Sequence, residues 1–67
     1  MYHFDRKRFA KALRDFRHER SYPAMAQITG VDPTTLARFE HGVRVDNEAA
    51  FRAICRSMGC RPEDFPE

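Results

Sequence analysis

The 67-residue sequence has no tryptophan, three glycines and only two cysteines, Cys55 and Cys60. No apolar run approaches the roughly 20 residues of a membrane-spanning helix, and the opening MYHFDRKRF lacks the apolar segment of a signal peptide. We therefore expect a cytoplasmic protein with no membrane partner. In that compartment two cysteines are more often buried thiols than a disulfide, and the histidines do not complete a metal site at close spacing. No metal and no other cofactor is expected.

A strong net charge is also missing, since the formal charge is +2 with 33% charged residues. Positive side chains are concentrated in the first twenty residues, whereas the tail PEDFPE carries acids only. This bias fits a polyanionic partner, and it fits an ordinary solvated helix face equally well. The hydrophobic fraction of 42%, with six phenylalanines, is enough for one compact core. We expect a single domain over residues 1–67, with no room for a second, ligand-binding domain and with no small-molecule ligand.

The spacing of apolar residues predicts an all-α bundle of five short helices. The first helix runs from about residue 6 to 19, with Asp5 as its N-cap and Phe4 stapled onto Phe9. Ser21 caps the second helix, which ends at Gly30 and whose expected inner residues are Met25, Ala26, Ile28 and Thr29.

The later helices follow the same rules. Asp46 or Asn47 caps the fourth helix, which ends at Gly59 and carries an apolar stripe of Phe51, Ile54, Cys55 and Met58. A last helical turn then begins at residues 60–62 and lets Phe65 lie over the core.

The third helix lies in the segment ITGVDPTTLARFEHG, residues 28–42. Asp32 is its expected N-cap, and Leu36 and Phe39 share its buried face. The opposite face holds small, polar or cationic residues: Thr34, Ala37, Arg38 and His41, with Thr35 and Glu40 at the flanks. A helix of about eight residues is not stable alone, so its neighbours must hold it. Short side chains let its backbone approach a partner, and an arginine matches a guanine edge or a phosphate.

The spacing of Ala26, Gly30, Leu36 and Phe39 resembles the helix-turn-helix core of Cro/cI-type repressors, the XRE family. The segments FEHG and AICRSMGCRPEDF resemble the ends of the third and fourth helices in that family. The resemblance implies a lambda-repressor-like DNA-binding domain, with the helix-turn-helix proper at about residues 22–41. It also implies a transcriptional regulator and not an enzyme.

The resemblance further assigns roles to individual residues. It implies that Thr34 and Arg38 read base edges, with Ala37, Pro33 and His41 beside them. Phosphate contacts would come from Thr35, Arg44, Tyr22 and Gln27. Glu40 would be structural, pairing with Arg14 or Arg17. Simpler roles stay open at several positions: helix capping for Thr34 and Thr35, loop closure for His41, and a merely solvated charge for Arg38.

One such domain reads few bases, so we expect a homodimer that binds an inverted repeat in double-stranded DNA. We expect it to act as a repressor that regulates its own operon. By analogy it is similar to phage Cro-like proteins, restriction–modification controllers and regulators of anti-CRISPR operons. The alternative is an antitoxin-like module that also binds a partner protein through an apolar patch, for which Tyr2, Phe4 and Phe65 are the candidates. An enzyme would need a nucleophile–base pair or a metal triad in a pocket, and a chain of this size leaves little volume for one.

Overall fold

The computed structural model describes residues 2–67, so Met1, the first residue of the predicted domain, lies outside the described part. Four α-helices and one 3-10 turn follow one another: α1 (Arg6–Arg17), α2 (Tyr22–Thr29), α3 (Pro33–Glu40), α4 (Glu48–Met58) and the 3-10 turn Pro62–Asp64. No strand occurs among residues 2–67, which confirms the all-helical prediction. None of the helices in this range is both long and apolar enough to cross a bilayer.

The predicted fifth helix is a single 3-10 turn and not an α-helix. Pro62 begins the turn, and the Asp64 carboxylate accepts a hydrogen bond of 2.9 Å from the Arg61 amide. Phe65 precedes Pro66, and a residue before proline is sterically disfavoured in the α conformation. The turn therefore closes once and stops, and Phe65 packs onto the core with 8% of its surface exposed.

The helix ends follow local chemistry. The side chain before each α-helix accepts a hydrogen bond from the first turn, and the four caps are Asp5, Ser21, Asp32 and Asn47. Asn47 therefore caps α4, and Asp46 does not. The α1 helix ends at Arg17, two residues before the predicted end, because the backbone of His18 turns to a φ of 54°.

Six aromatic rings form one cluster, made of the partly buried Tyr2 and of five buried rings: Phe4, Phe9, Phe39, Phe51 and Phe65. Phe4 stacks on Phe51 with ring centroids 4.3 Å apart, and it meets Phe9 edge-on at 5.4 Å, which is the predicted staple. The rings come from α1, α3, α4 and both terminal segments, so the cluster joins these five parts of the chain.

The two terminal segments lie side by side over this cluster. The Asp5 amide donates a hydrogen bond of 2.9 Å to the Phe65 carbonyl. His3 Nδ1 and Glu67 Oε2 are 3.7 Å apart at the surface. The segment before α1 is thus tied to the segment after the 3-10 turn.

The prediction that Ile28 belongs to the inner surface of α2 is wrong, because 47% of its surface is exposed. Met25 and Thr29 are the buried residues of this helix, and Ala26 is partly buried. At about 100° per residue these three centre the buried side between Met25 and Ala26, and Ile28 points about 110° away from it. The contact side of α2 is therefore narrower than the apolar pattern indicated.

Gly30, between α2 and α3, should be sensitive to any side chain. Its φ is 77°, and an added Cβ would meet nothing within 4 Å, so only the backbone conformation opposes substitution. We expect Gly30→Ala to lower the free energy of unfolding by about 1 kcal/mol, since the left-handed cost exceeds the gain from a stiffer unfolded chain. Thermal denaturation should show a melting temperature lower by about 4–8 °C. Gly30→Asn should lose less, since asparagine tolerates this conformation better; equal losses would contradict the explanation.

Candidate nucleic-acid interface

The turn between α2 and α3 is built from short-range hydrogen bonds. The Thr29 hydroxyl donates to the Met25 carbonyl at 2.9 Å and accepts from the Val31 amide at 3.1 Å. The Gly30 amide donates to the Ala26 carbonyl at 2.8 Å. These bonds close α2, and only three residues separate its end at Thr29 from the start of α3 at Pro33.

The start of α3 is fixed by Asp32. Its carboxylate accepts from the Thr35 amide at 3.0 Å and from the Thr35 hydroxyl at 2.7 Å. These two bonds, the hydroxyl bond foremost, lower the pKa of Asp32 below its ordinary value. The Thr35 hydroxyl, which was predicted to donate to a phosphate, thus donates to Asp32 and supports the cap.

The inner and outer sides of α3 differ sharply. Leu36 and Phe39 are each 1% exposed and hold the helix on the core. The outward residues Pro33, Thr34, Arg38 and His41 are exposed, and Ala37 is partly buried. Arg38 takes part in none of the ion pairs or side-chain hydrogen bonds among residues 2–67. Its guanidinium is therefore available to a partner.

The end of α3 is held by a buried carboxylate. Glu40 accepts from Arg17 through Nε at 2.5 Å and through Nη2 at 3.0 Å. The Tyr22 hydroxyl donates to the same carboxylate at 3.1 Å, and Arg14 Nη1 donates to the Glu40 carbonyl at 2.7 Å. The side chain of Glu40 is 2% exposed and that of Arg17 is 23% exposed, so the pair is largely removed from water. The predicted structural role of Glu40 is confirmed, and both candidate arginines contact it.

This cluster perturbs its neighbours in the expected directions. The hydrogen bond to Glu40 raises the pKa of Arg17, and partial burial together with the Glu40 carboxylate raises the pKa of Tyr22. The Arg17 guanidinium also lies over the Tyr22 ring at 4.4 Å from its centroid. Tyr22, predicted to meet a phosphate, thus donates its hydroxyl to Glu40 and joins α2 to α1 and α3.

The remaining residues predicted to meet phosphates, Gln27 and Arg44, are exposed. Arg44 lies in the loop between α3 and α4, and this loop contacts the N-terminal segment of the chain. The Tyr2 hydroxyl donates to the Val45 carbonyl at 2.5 Å, while the Tyr2 ring stacks on Phe51 at 5.4 Å. Sequence reasoning missed this contact, because it joins residues 43 positions apart and no local pattern signals it.

The cysteines behave as the thiol interpretation predicted. Both are free; Cys55 is buried and Cys60 is partly buried. Burial, with the neighbouring Cys60 thiol as a second cause, raises the pKa of Cys55 to about 12. A thiol with so high a pKa is a poor nucleophile at neutral pH. Within residues 2–67 no group of three or more His, Cys, Asp or Glu side chains is arranged to hold a metal ion.

The sequence pattern of the helix-turn-helix domain family matches residues 8–67, nearly the whole chain. This protein belongs to the helix-turn-helix domain family. In this helix-turn-helix protein the motif is α2, the turn at Gly30 and α3. Comparison with curated proteins and with solved structures gave no match.

Membership of the helix-turn-helix domain family supports DNA binding and, with it, a role in transcription regulation. Members place the second helix of the motif in the major groove with its outer side chains at base edges. In this chain that helix is α3, and its outer side is the one that carries Thr34 and Arg38. The family is typically non-enzymatic.

The Glu40 cluster should control the stability of the motif. We expect Glu40→Gln to lower the free energy of unfolding by about 2 kcal/mol. The substitution removes the negative charge of the pair and leaves the largely buried Arg17 guanidinium without an opposite charge. Urea denaturation measures the loss. Glu48→Gln is the matched control, since it breaks an exposed pair with Arg52 and should cost less than about 0.5 kcal/mol. Equal losses in the two variants would show that burial of the Glu40 pair does not matter.

Proposed function

We propose that this protein is a sequence-specific transcriptional regulator of the Cro/cI (XRE) type with a lambda-repressor-like arrangement. In this proposal one domain of residues 1–67 acts as a homodimeric repressor on an inverted repeat in double-stranded DNA. Thr34 and Arg38 read bases in the major groove, with Ala37, Pro33 and His41 beside them. Arg44 and Gln27 contact phosphates, and the protein acts in the cytoplasm without a cofactor.

The observation that carries this proposal is that the Arg38 side chain is exposed and has no partner among residues 2–67. It is exposed on the outer side of a helix whose inner side is fixed by Leu36, Phe39 and Glu40. None of the described acids neutralises its guanidinium. A rigid helix that offers an unpaired arginine beside a threonine and an alanine matches what the major groove accepts. An arginine fork can then bind guanine O6 and N7 together.

The roles proposed for Thr35 and Tyr22 are narrower than the resemblance implied. Their hydroxyl hydrogens are directed to Asp32 and Glu40, so these residues support the motif from within the protein. Each hydroxyl would have to break its hydrogen bond to the acid before it could donate to a phosphate. We therefore propose Arg44, Gln27 and the backbone amides at the start of α2 as the main contacts to the DNA backbone around α3.

The homodimer follows from how little one domain can read. A single α3 of eight residues reaches only a few base pairs, and two copies on a two-fold axis double that number. We propose half-sites whose centres lie about 10 bp apart, one turn of the duplex. By analogy the regulated promoter would be the protein's own, as in phage, restriction-controller or anti-CRISPR operons.

The antitoxin-like alternative has no observation in its favour among the residues offered for it. Phe4 and Phe65 are each 8% exposed, and Tyr2 is partly buried with its ring stacked on Phe4 and Phe51. The large apolar side chains exposed in residues 2–67 are instead Ile28 and Val43, on α2 and on the loop after α3. Those two residues were not part of the predicted patch.

Selection of bound sequences from random duplex DNA tests the proposed function as a whole. We expect enrichment of one inverted repeat with half-sites about 10 bp apart, and light scattering of the complex should give two chains per duplex. A single asymmetric site would contradict the dimer. No enriched sequence at all would contradict sequence-specific recognition. A reporter placed behind the selected site then separates repression from activation.

Arg38→Ala should weaken binding to the selected site by about 1–3 kcal/mol and relax the preference at one base position, because it removes a base-edge contact. Fluorescence anisotropy on single-base variants of the site measures both effects. Arg44→Ala is the matched comparison, as it removes the same side chain from the loop. It should weaken binding to all sequences alike and lower the salt slope by about one. An unchanged base preference in Arg38→Ala would show that α3 does not read DNA through this residue.

A further inference from the structure

A stripe of positive side chains follows one side of α1. Lys7, Lys11 and Arg14 are spaced four and three residues apart, so they lie above one another on the helix surface. They line a surface groove between α1 and the end of α3, together with His41 and Gly42. Nothing in the roles assigned so far uses Lys7 or Lys11.

The acids near this groove do not neutralise it. Glu40 also lines it, but its carboxylate is buried and is held by Arg17 and Tyr22. Asp15 contacts Lys11 at 3.0 Å, yet the two side chains are 67% and 73% exposed, so the pair is weak and easily exchanged. The groove therefore presents the charge of two lysines and of Arg14 to a partner.

Arg14 connects the groove to the motif. One of its five N–H donors binds the Glu40 carbonyl at 2.7 Å, and this is its one side-chain hydrogen bond in residues 2–67. His41 follows α3 directly and belongs both to the outer side of α3 and to the lining of the groove. The groove therefore borders the outer side of α3 at His41.

We propose that this α1–α3 groove is a second DNA-backbone site, in which Lys7 and Lys11 bind phosphates and Arg14 holds the groove against α3. The inference rests on the proposed function for the orientation of α3, but it assigns contacts that the motif itself does not supply. The ligand class is the phosphodiester backbone of duplex DNA. Such contacts carry no base information, so they add affinity to every sequence.

The test is the salt dependence of binding to a duplex of mixed sequence that lacks the selected site. For Lys7→Gln/Lys11→Gln we expect the slope of log K against log salt to shrink by about 1.8, since each phosphate contact contributes about 0.9. Affinity at 50 mM KCl should fall about tenfold or more. Lys7→Arg/Lys11→Arg keeps both charges and should restore the slope.

The control is Arg52→Gln/Arg56→Gln. It removes two exposed positive charges from α4, one of them from an i,i+4 pair with an acid, just as Lys11 is paired. No residue of α4 lines the groove. The control should leave the slope unchanged, and all variants should melt within a few degrees of the wild type.

The outcomes separate the two proposals. If the slope is unchanged in the groove variant, or falls equally in the control, the proposed DNA-backbone site is overturned. Sequence selection by the wild type would still support the proposed regulator in that case. If the slope falls in the groove variant but the wild type selects no sequence, the groove site is supported and sequence-specific reading is overturned. A changed base preference in the groove variant would overturn the backbone assignment.

Discussion

The buried Glu40 carboxylate is the contact on which the rest of the motif depends. It ends α3, it accepts from Arg17 of α1 and it accepts from Tyr22 at the start of α2. One side chain thus fixes the directions of three helices relative to one another. A charge so far from water is stable only because its hydrogen bonds are complete, and no buried side-chain N or O atom in residues 2–67 lacks a partner.

The aromatic cluster packs against the inner side of α3. Phe39 meets Phe9 at 5.4 Å, so the third helix is packed by rings below while Glu40 is bound at its end. An eight-residue helix has too few internal hydrogen bonds to persist in water. Here its position comes from tertiary contacts on one side, and this leaves the opposite side free for polar and cationic residues.

Much of the fold could be predicted because it is locally encoded. Caps such as Asp5 and Asp32 act over three residues, and Gly30 marks the end of α2 by its left-handed conformation, so these features can be found from the sequence alone. The exposure of Arg38 follows from the same periodicity that buries Leu36. The bond from Thr35 to Asp32 is local, and it agrees with the capping role that the sequence left open for Thr35. The hydrogen bond from the Tyr22 hydroxyl to Glu40 could not be predicted in the same way, because it depends on where α3 brings that acid.

The errors have the same origin. Ile28 fits an apolar helix pattern, but the direction of the core relative to α2 is set by α3 and α4, which a pattern within α2 does not contain. The contact of Tyr2 with the Val45 carbonyl joins residues 43 positions apart, whereas a helical period relates only residues a few positions apart. The resemblance offered Arg14 or Arg17 as the partner of Glu40, and only the packed structure shows that Arg17 binds its carboxylate and Arg14 its carbonyl.

The backbone bond between Asp5 and Phe65 has a practical consequence for engineering this domain. Because the two end segments are neighbours, a short linker can join them, and new ends can be opened at the exposed His18–Arg20 connection. Such a circular permutant would keep every element that presents α3. It would also move any fused reporter from the side of the Arg44 loop to the connection between α1 and α2.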